Sequence, residues 1–139
     1  MTDLAERARR FVLESHAETL ETVLECADSV ASGWDGDATA DSARVADSLR
    51  AELEAEEVWA QLPHVLVGAV RATGHSLSAT PVAAPPYVVA TSRGPMLRAT
   101  LDGGRLVLSM QVFDVEREET TRYVRRATTP AEALRANFK

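Results

Sequence analysis

The stretch Leu97-Arg98-Ala99-Thr100-Leu101-Asp102-Gly103-Gly104-Arg105-Leu106, residues 97–106, decides the fold. Two alternating runs flank an aspartate and two glycines. Asp-Gly and Gly-Gly both suit a type I′ hairpin turn, whose central residues need positive φ. Parity tests the hairpin. A Gly103-Gly104 turn pairs Leu101 with Leu106, Ala99 with Leu108 and Leu97 with Met110, all apolar. An Asp102-Gly103 turn keeps the same faces, whereas a three-residue turn would set the leucines on opposite faces. The glycines therefore read as a turn. A phosphate-cradling loop would need a strand-to-helix context and a Lys-Ser/Thr that are absent here.

The same parity works outward. "SRGP", residues 92–95, links a strand at 87–92 to one at 96–101; Pro95 lacks the N–H that would close a two-residue turn, which favours a four-residue connection. Further strands fall at 105–116 and 121–127. The expected meander has one continuously apolar face, including Val88, Ala90, Leu97, Leu101, Leu106 and Leu108, which needs a cover. Its second face carries Tyr87, Val89, Met96, Arg98, Thr100, Val107, Ser109, Gln111, Phe113 and Val115. A Glu118-Glu119 turn would add Arg122, Val124 and Arg126.

Upstream of Tyr87 the apolar period is helical. Leu4, Ala8, Phe11, Val12, Leu20, Val23, Leu24, Ala27 and Val30 predict one long helix over 3–31, stopped at Gly33. A second helix is expected from Thr39–Ser42 to about Gln61, with Val45, Leu49, Leu53 and Trp59 inward. A third, short helix fits 63–72, with Pro63 in its first turn. Residues 75–86 read as a connecting loop. Thr129, Pro130 and Glu132 suit the start of a short C-terminal helix. The expected fold class is α+β: an N-terminal helical hairpin and a short helix on one face of a four-stranded antiparallel meander, then a short helix. The expected layout is a single domain over 1–139, with helices in 1–74, a loop at 75–86, the sheet in 87–127 and the last helix or tail in 128–139.

Composition narrows the function classes. With 45% apolar and 26% charged residues in a chain of 139, the sequence can bury a core. No apolar run reaches the ~20 residues of a membrane span. The acidic start, Met1-Thr2-Asp3-Leu4-Ala5-Glu6, lacks the pattern of a signal peptide, so a cytoplasmic setting without membrane partners is expected. Charge is segregated. Residues 1–87 hold 6 Arg against 15 Asp and Glu, and residues 88–139 hold 8 Arg and 1 Lys against 6. These nets, −9 and +3, sum to the −6 of the chain. The acidic half repels nucleic acid.

Lys139 is the only lysine, beside fourteen arginines. That bias fits a halophilic archaeon or a high-GC bacterium. The chain, notably "PYVVATSRGPMLRATLDGG" at 86–104, resembles small haloarchaeal proteins carrying a domain of unknown function. The resemblance contains no catalytic motif and implies no activity.

Motifs for metal or catalysis fail on chemistry. "DGDATAD" at 35–41 starts like a calcium loop, but Ala40 and Ala46 occupy the positions that need glycine and glutamate. His16, His64 and His75 have no zinc spacing. Glu14, Glu18, Glu21 and Glu25 lack the Glu-x-x-His of a carboxylate-bridged site and read as a solvated flank. Asp102, Asp114 and Glu116 lack the lysine of a nuclease core. Cys26 lies on the buried side without a basic neighbour. No Gly-x-Ser-x-Gly occurs. No cofactor, metal or catalytic residue is therefore assigned.

The remaining candidate is a surface: Arg98, Ser109, Gln111, Arg122 and Arg126 on the second sheet face. Arginine binds carboxylate and phosphate bidentately. The function expected is a non-enzymatic interaction or scaffold domain, acting on a protein partner or by self-association. The alternatives are an anion or single-stranded nucleic-acid binder through the same arginines, and an enzyme of unassigned class.

Overall fold

The computed structural model describes residues 3–139. Met1 and Thr2, which open the acidic N-terminal stretch read above, lie outside the described residues.

The protein is α+β, with helices first. α1 (Leu4–Ser15) and α2 (Ala17–Ser32) replace the single long helix expected over 3–31. The break is at His16, with φ −129° and ψ 31°. Its N–H still closes α1 on Val12 O at 2.9 Å, and its carbonyl accepts from Leu20 N–H to start α2 at 3.1 Å. The two halves have different partners: α1 packs on α4 (Leu62–Ala72) and on β7 (Leu134–Phe138), and α2 on α3 (Ser42–Ala55). One straight rod could not reach both, and the absence of any fully buried residue between Val12 and Leu20 marks the bend.

α3 starts on Asp41, whose carboxylate accepts from Arg44 N–H at 3.1 Å. It stops at Ala55, well short of Gln61. Glu57 adopts φ +62°, Glu57 N–H bonds to Glu54 O and Val58 N–H to Leu53 O at 2.9 Å. This is a Schellman closure with glutamate at the left-handed position, sealed by the buried pair Leu53 and Val58. A 3₁₀ turn, Trp59–Gln61, then leads into α4.

The strands form two sheets, where one meander was expected. β2 (Val88–Thr91), β3 (Gly94–Leu101), β4 (Gly104–Met110) and β7 make a four-stranded antiparallel sheet in the order β2-β3-β4-β7. β1 (Ala38–Thr39), β6 (Thr121–Arg125) and β5 (Phe113–Arg117) make a smaller one, in the order β1-β6-β5. The expected strand 105–116 breaks at Gln111–Val112. There the N–H groups of Val112 and Phe113 both bond to Arg93 O, at 2.9 and 3.0 Å, which turns the chain out of the first sheet. The vacant place beside β4 is filled by β7. The C-terminal helix does start at Pro130, with Thr129 as its cap, but α5 (Pro130–Ala133) is a single turn.

The central hairpin takes the Asp102-Gly103 turn: Leu101 faces Gly104, Ala99 faces Leu106 and Leu97 faces Leu108. Gly103 has φ +88°. The preceding turn is shorter than expected. Thr91 faces Gly94 across Ser92-Arg93, and Pro95 sits inside β3 opposite Ala90. The closing N–H comes from Gly94, which donates to Thr91 Oγ1 at 3.2 Å. The shift moves partners by two residues and leaves the faces as predicted. On the inner face Val88, Leu97, Ala99, Leu106, Leu108, Met110 and Leu134 are buried. α1, α3 and α4 cover them.

Candidate functional site

Among the described residues, no helix or strand covers the outer face of the four-stranded sheet. Three cross-strand rows define it, because directly opposed residues share a face. Val89, Met96, Ser109 and Arg135 form one row. Arg98, Val107 and Asn137 form the next, with Tyr87 beside Arg98, whose N–H bonds to Tyr87 O at 2.8 Å. Thr100 and Arg105 form the third, with Lys139 exchanging both backbone hydrogen bonds with Arg105. All of these residues are half-buried or exposed.

These rows hold four cationic side chains, Arg98, Arg105, Arg135 and Lys139, and no acidic side chain. None of the four forms an ion pair among the described residues; every ion pair lies elsewhere. Met96, Val107 and Tyr87 supply an apolar middle. An open cleft of about 500 Å³ lies over Met96, Arg98, Arg105, Val107 and Lys139. A second, of about 310 Å³, shares Arg98 and Arg105 and is walled by Leu77, Ser78 and Pro86 from the long loop. Two unpaired guanidinium groups on adjacent strands can hold a carboxylate or phosphate bidentately.

The five residues expected to share this face divide. Arg98 and Ser109 are on it, and Gln111 sits at its end beside Arg135 and Asn137. Arg122 and Arg126 are not on that sheet. The β5–β6 turn has three residues, 118–120, so Glu116 faces Arg122 and Asp114 faces Val124. One added residue reverses the parity and puts these arginines with the carboxylates, away from Phe113 and Val115. Arg122 Nη2 lies 2.8 Å from Glu116 Oε1, and Arg126 bridges Glu116 at 3.1 Å and Asp114 at 3.6 Å. They are solvated cross-strand pairs. Arg126 does meet Gln111, with Arg93 and Arg135, in a cleft of about 180 Å³ at the seam of the two sheets.

Three contributors escaped the sequence reading. Arg105 follows from the same parity that placed Val107 and Ser109. Arg135 and Lys139 were hidden by extending α5 to the end, although Leu134-Arg135-Ala136-Asn137-Phe138 alternates with period two.

Away from this face, two titratable groups are shifted by their surroundings. Cys26 is buried, and burial, then the carboxylates of Glu52, Glu56 and Glu25, push its thiol up to about 11. His16 packs edge-on to Phe11 and lies 6.1 Å from the His64 ring; burial, then the neighbouring His64, lower its pKa. No group of three or more His, Cys, Asp or Glu able to hold a metal ion occurs among the described residues. No helix among them is long and apolar enough to cross a membrane.

The fold and this surface define a class: an α+β domain with one sheet face packed under helices and the other open and cationic. The chain belongs to the DUF7988 family, a domain of unknown function whose model matches residues 6–139. No curated protein and no solved structure matches it.

Proposed function

We propose that this protein is a non-enzymatic binding domain whose outer sheet face recognises an acidic protein partner. One observation carries the reading: Arg98, Arg105, Arg135 and Lys139 share a face that, among the described residues, is uncovered and has no acidic side chain, on a chain of net charge −6. Cations without intramolecular partners, set around an apolar centre, favour a ligand of opposite charge. Self-association through this face would oppose like charges. A single-stranded nucleic acid would want a row of aromatic platforms, and the face offers only Tyr87.

Binding to fluorescent polyglutamate, with oligothymidylate as the competing anion, tests this. The expected result is polyglutamate binding that weakens with salt and falls at least tenfold in Arg98→Ala/Arg105→Ala. An Arg122→Ala/Arg126→Ala variant should bind like the parent. Equal binding by all three proteins would overturn the proposal.

A further inference from the structure

The free edge of the sheet implies a conformation for that partner. β7 has β4 on one side and, among the described residues, no strand on the other. Arg105 N–H bonds to Lys139 O at 2.9 Å, and Lys139 N–H to Arg105 O at 3.0 Å. In an antiparallel ladder such exchanging pairs alternate with pairs that exchange nothing. Arg135, Asn137 and Lys139 therefore aim their backbone groups at β4. The N–H and C=O groups of Ala136 and Phe138 point away from the sheet and take no backbone partner among the described residues. Leu134 C=O, also outward, accepts from Arg9 Nε at 3.1 Å. The unsatisfied run thus begins at Ala136. It opens on a cleft of about 390 Å³ between α1 and the edge, bounded by Glu6 and Arg9 on the helix side.

We propose that an extended acidic segment of a partner protein adds to β7 as a fifth strand of this sheet. The inference rests on the outer-face reading, because the cationic residues of β7 form the rim of that face. Successive side chains of an added strand alternate between faces. Those on the outer side would stand beside Arg135, Asn137 and Lys139. Those on the inner side would stand beside Leu134, Ala136 and Phe138. The segment this edge fits therefore alternates acidic and apolar residues. Its backbone hydrogen bonds would supply affinity, and the cations would supply selectivity. The same cations discourage a second copy, since basic residues on an edge strand repel an identical edge.

The probe is a labelled octapeptide of alternating Glu and Val, measured by fluorescence anisotropy on the full chain. Two further peptides carry backbone N-methyl groups on all Glu or on all Val residues. The protein variant is Ala136→Pro, which removes an outward N–H and leaves the β4–β7 bonds intact, a position proline tolerates on an edge. The expected result is binding of the plain peptide, loss of at least tenfold with one of the two methylated peptides, and a similar loss in Ala136→Pro. Retained binding of both methylated peptides overturns strand addition, while Arg98→Ala/Arg105→Ala sensitivity would leave the outer-face reading standing. That arm uses the unaltered protein, so it decides the question even if Ala136→Pro does not fold. Binding of oligothymidylate without the peptide overturns the acidic-protein occupant. Binding of neither peptide nor polyglutamate overturns both proposals.

Discussion

Arg125 Nε donates to Asp28 Oδ1 at 2.9 Å, tying β6 to α2 across nearly a hundred residues of chain. The same guanidinium reaches the carbonyl oxygens of Val112, Ala127 and Leu24. Its side chain is only 15% exposed, against 68% for Asp28. The arginine is thus a fastener between the small sheet, the β4–β5 junction and the helical layer, and the carbonyls matter more than the exposed carboxylate.

Arg125→Ala would take a donor from all three carbonyls and leave Ala127 O with none, while Val112 O keeps Arg126 N–H at 3.2 Å and Leu24 O keeps its place inside α2. A loss of about 2–3 kcal/mol is expected, because buried polar groups left unsatisfied keep their full desolvation cost. Asp28→Ala should cost ~0–1 kcal/mol, as for an exposed ion pair. Arg125→Lys should not restore stability, since one ammonium cannot span the fork. Urea unfolding of the three variants checks the order; a loss in Asp28→Ala equal to that in Arg125→Ala would contradict it.

Gly94 sits where the β2–β3 turn meets the end of β4. It has φ +146°, and a Cβ there would fall 1.7 Å from Met110 O. Backbone cannot yield as a flexible side chain can, so Gly94→Ala should cost ~3 kcal/mol or more. Gly103 also has positive φ, but a Cβ there would meet nothing within 4 Å. Gly103→Ala should cost only the ~1–2 kcal/mol of the left-handed conformation. Thermal melting should show the first variant far below the second.

The contrast between these glycines shows what the sequence could reveal. Gly103 announced itself, because Asp-Gly between alternating runs is local turn chemistry. The apolar face followed from parity, and so did Arg98 and Ser109. Gly94 did not stand out, since its role depends on Met110, a residue contributed by another strand. The break at Gln111–Val112 was equally hidden: Arg93 O receives two amides there, a contact between distant segments. A strand read straight through that break places Arg122 and Arg126 on the wrong sheet. The three-residue β5–β6 turn compounds the error by reversing their parity. Periodicity resolves which face a side chain takes within a strand; it does not resolve which sheet the strand joins.

Cys26 reports on the α2–α3 packing. It is 2% exposed, and its thiol is pushed up to about 11 by burial and by acidic neighbours. The thiolate is the reactive form, so at pH 8 the native protein should react with a disulfide reagent only through opening of the fold. Full reaction is expected in denaturant. A fast native reaction at pH 8, on the timescale of a free thiol, would show that this packing opens readily.

His16 makes stability depend on pH in a direction that can be stated beforehand. Burial first, and then the neighbouring His64, lower its pKa below the ordinary 6.5. The unfolded chain therefore takes up a proton at His16 before the folded chain does. Above about pH 6.5, the ordinary histidine value, both states are neutral at this ring and its contribution is fully present. As the pH falls from there toward the lowered folded value, the unfolded state gains and stability declines. The ring also sits 5.5 Å from Phe11, edge to face, so protonation would place a charge against an apolar contact at the bend between α1 and α2. Urea midpoints for the parent should fall between pH 7.5 and 5.5, and those of His16→Asn should fall less. Asparagine suits a helix-terminal position, which keeps the bend while removing the titration. Identical slopes in the two proteins would mean that the His16 ring is as well solvated in the folded state as in the unfolded one.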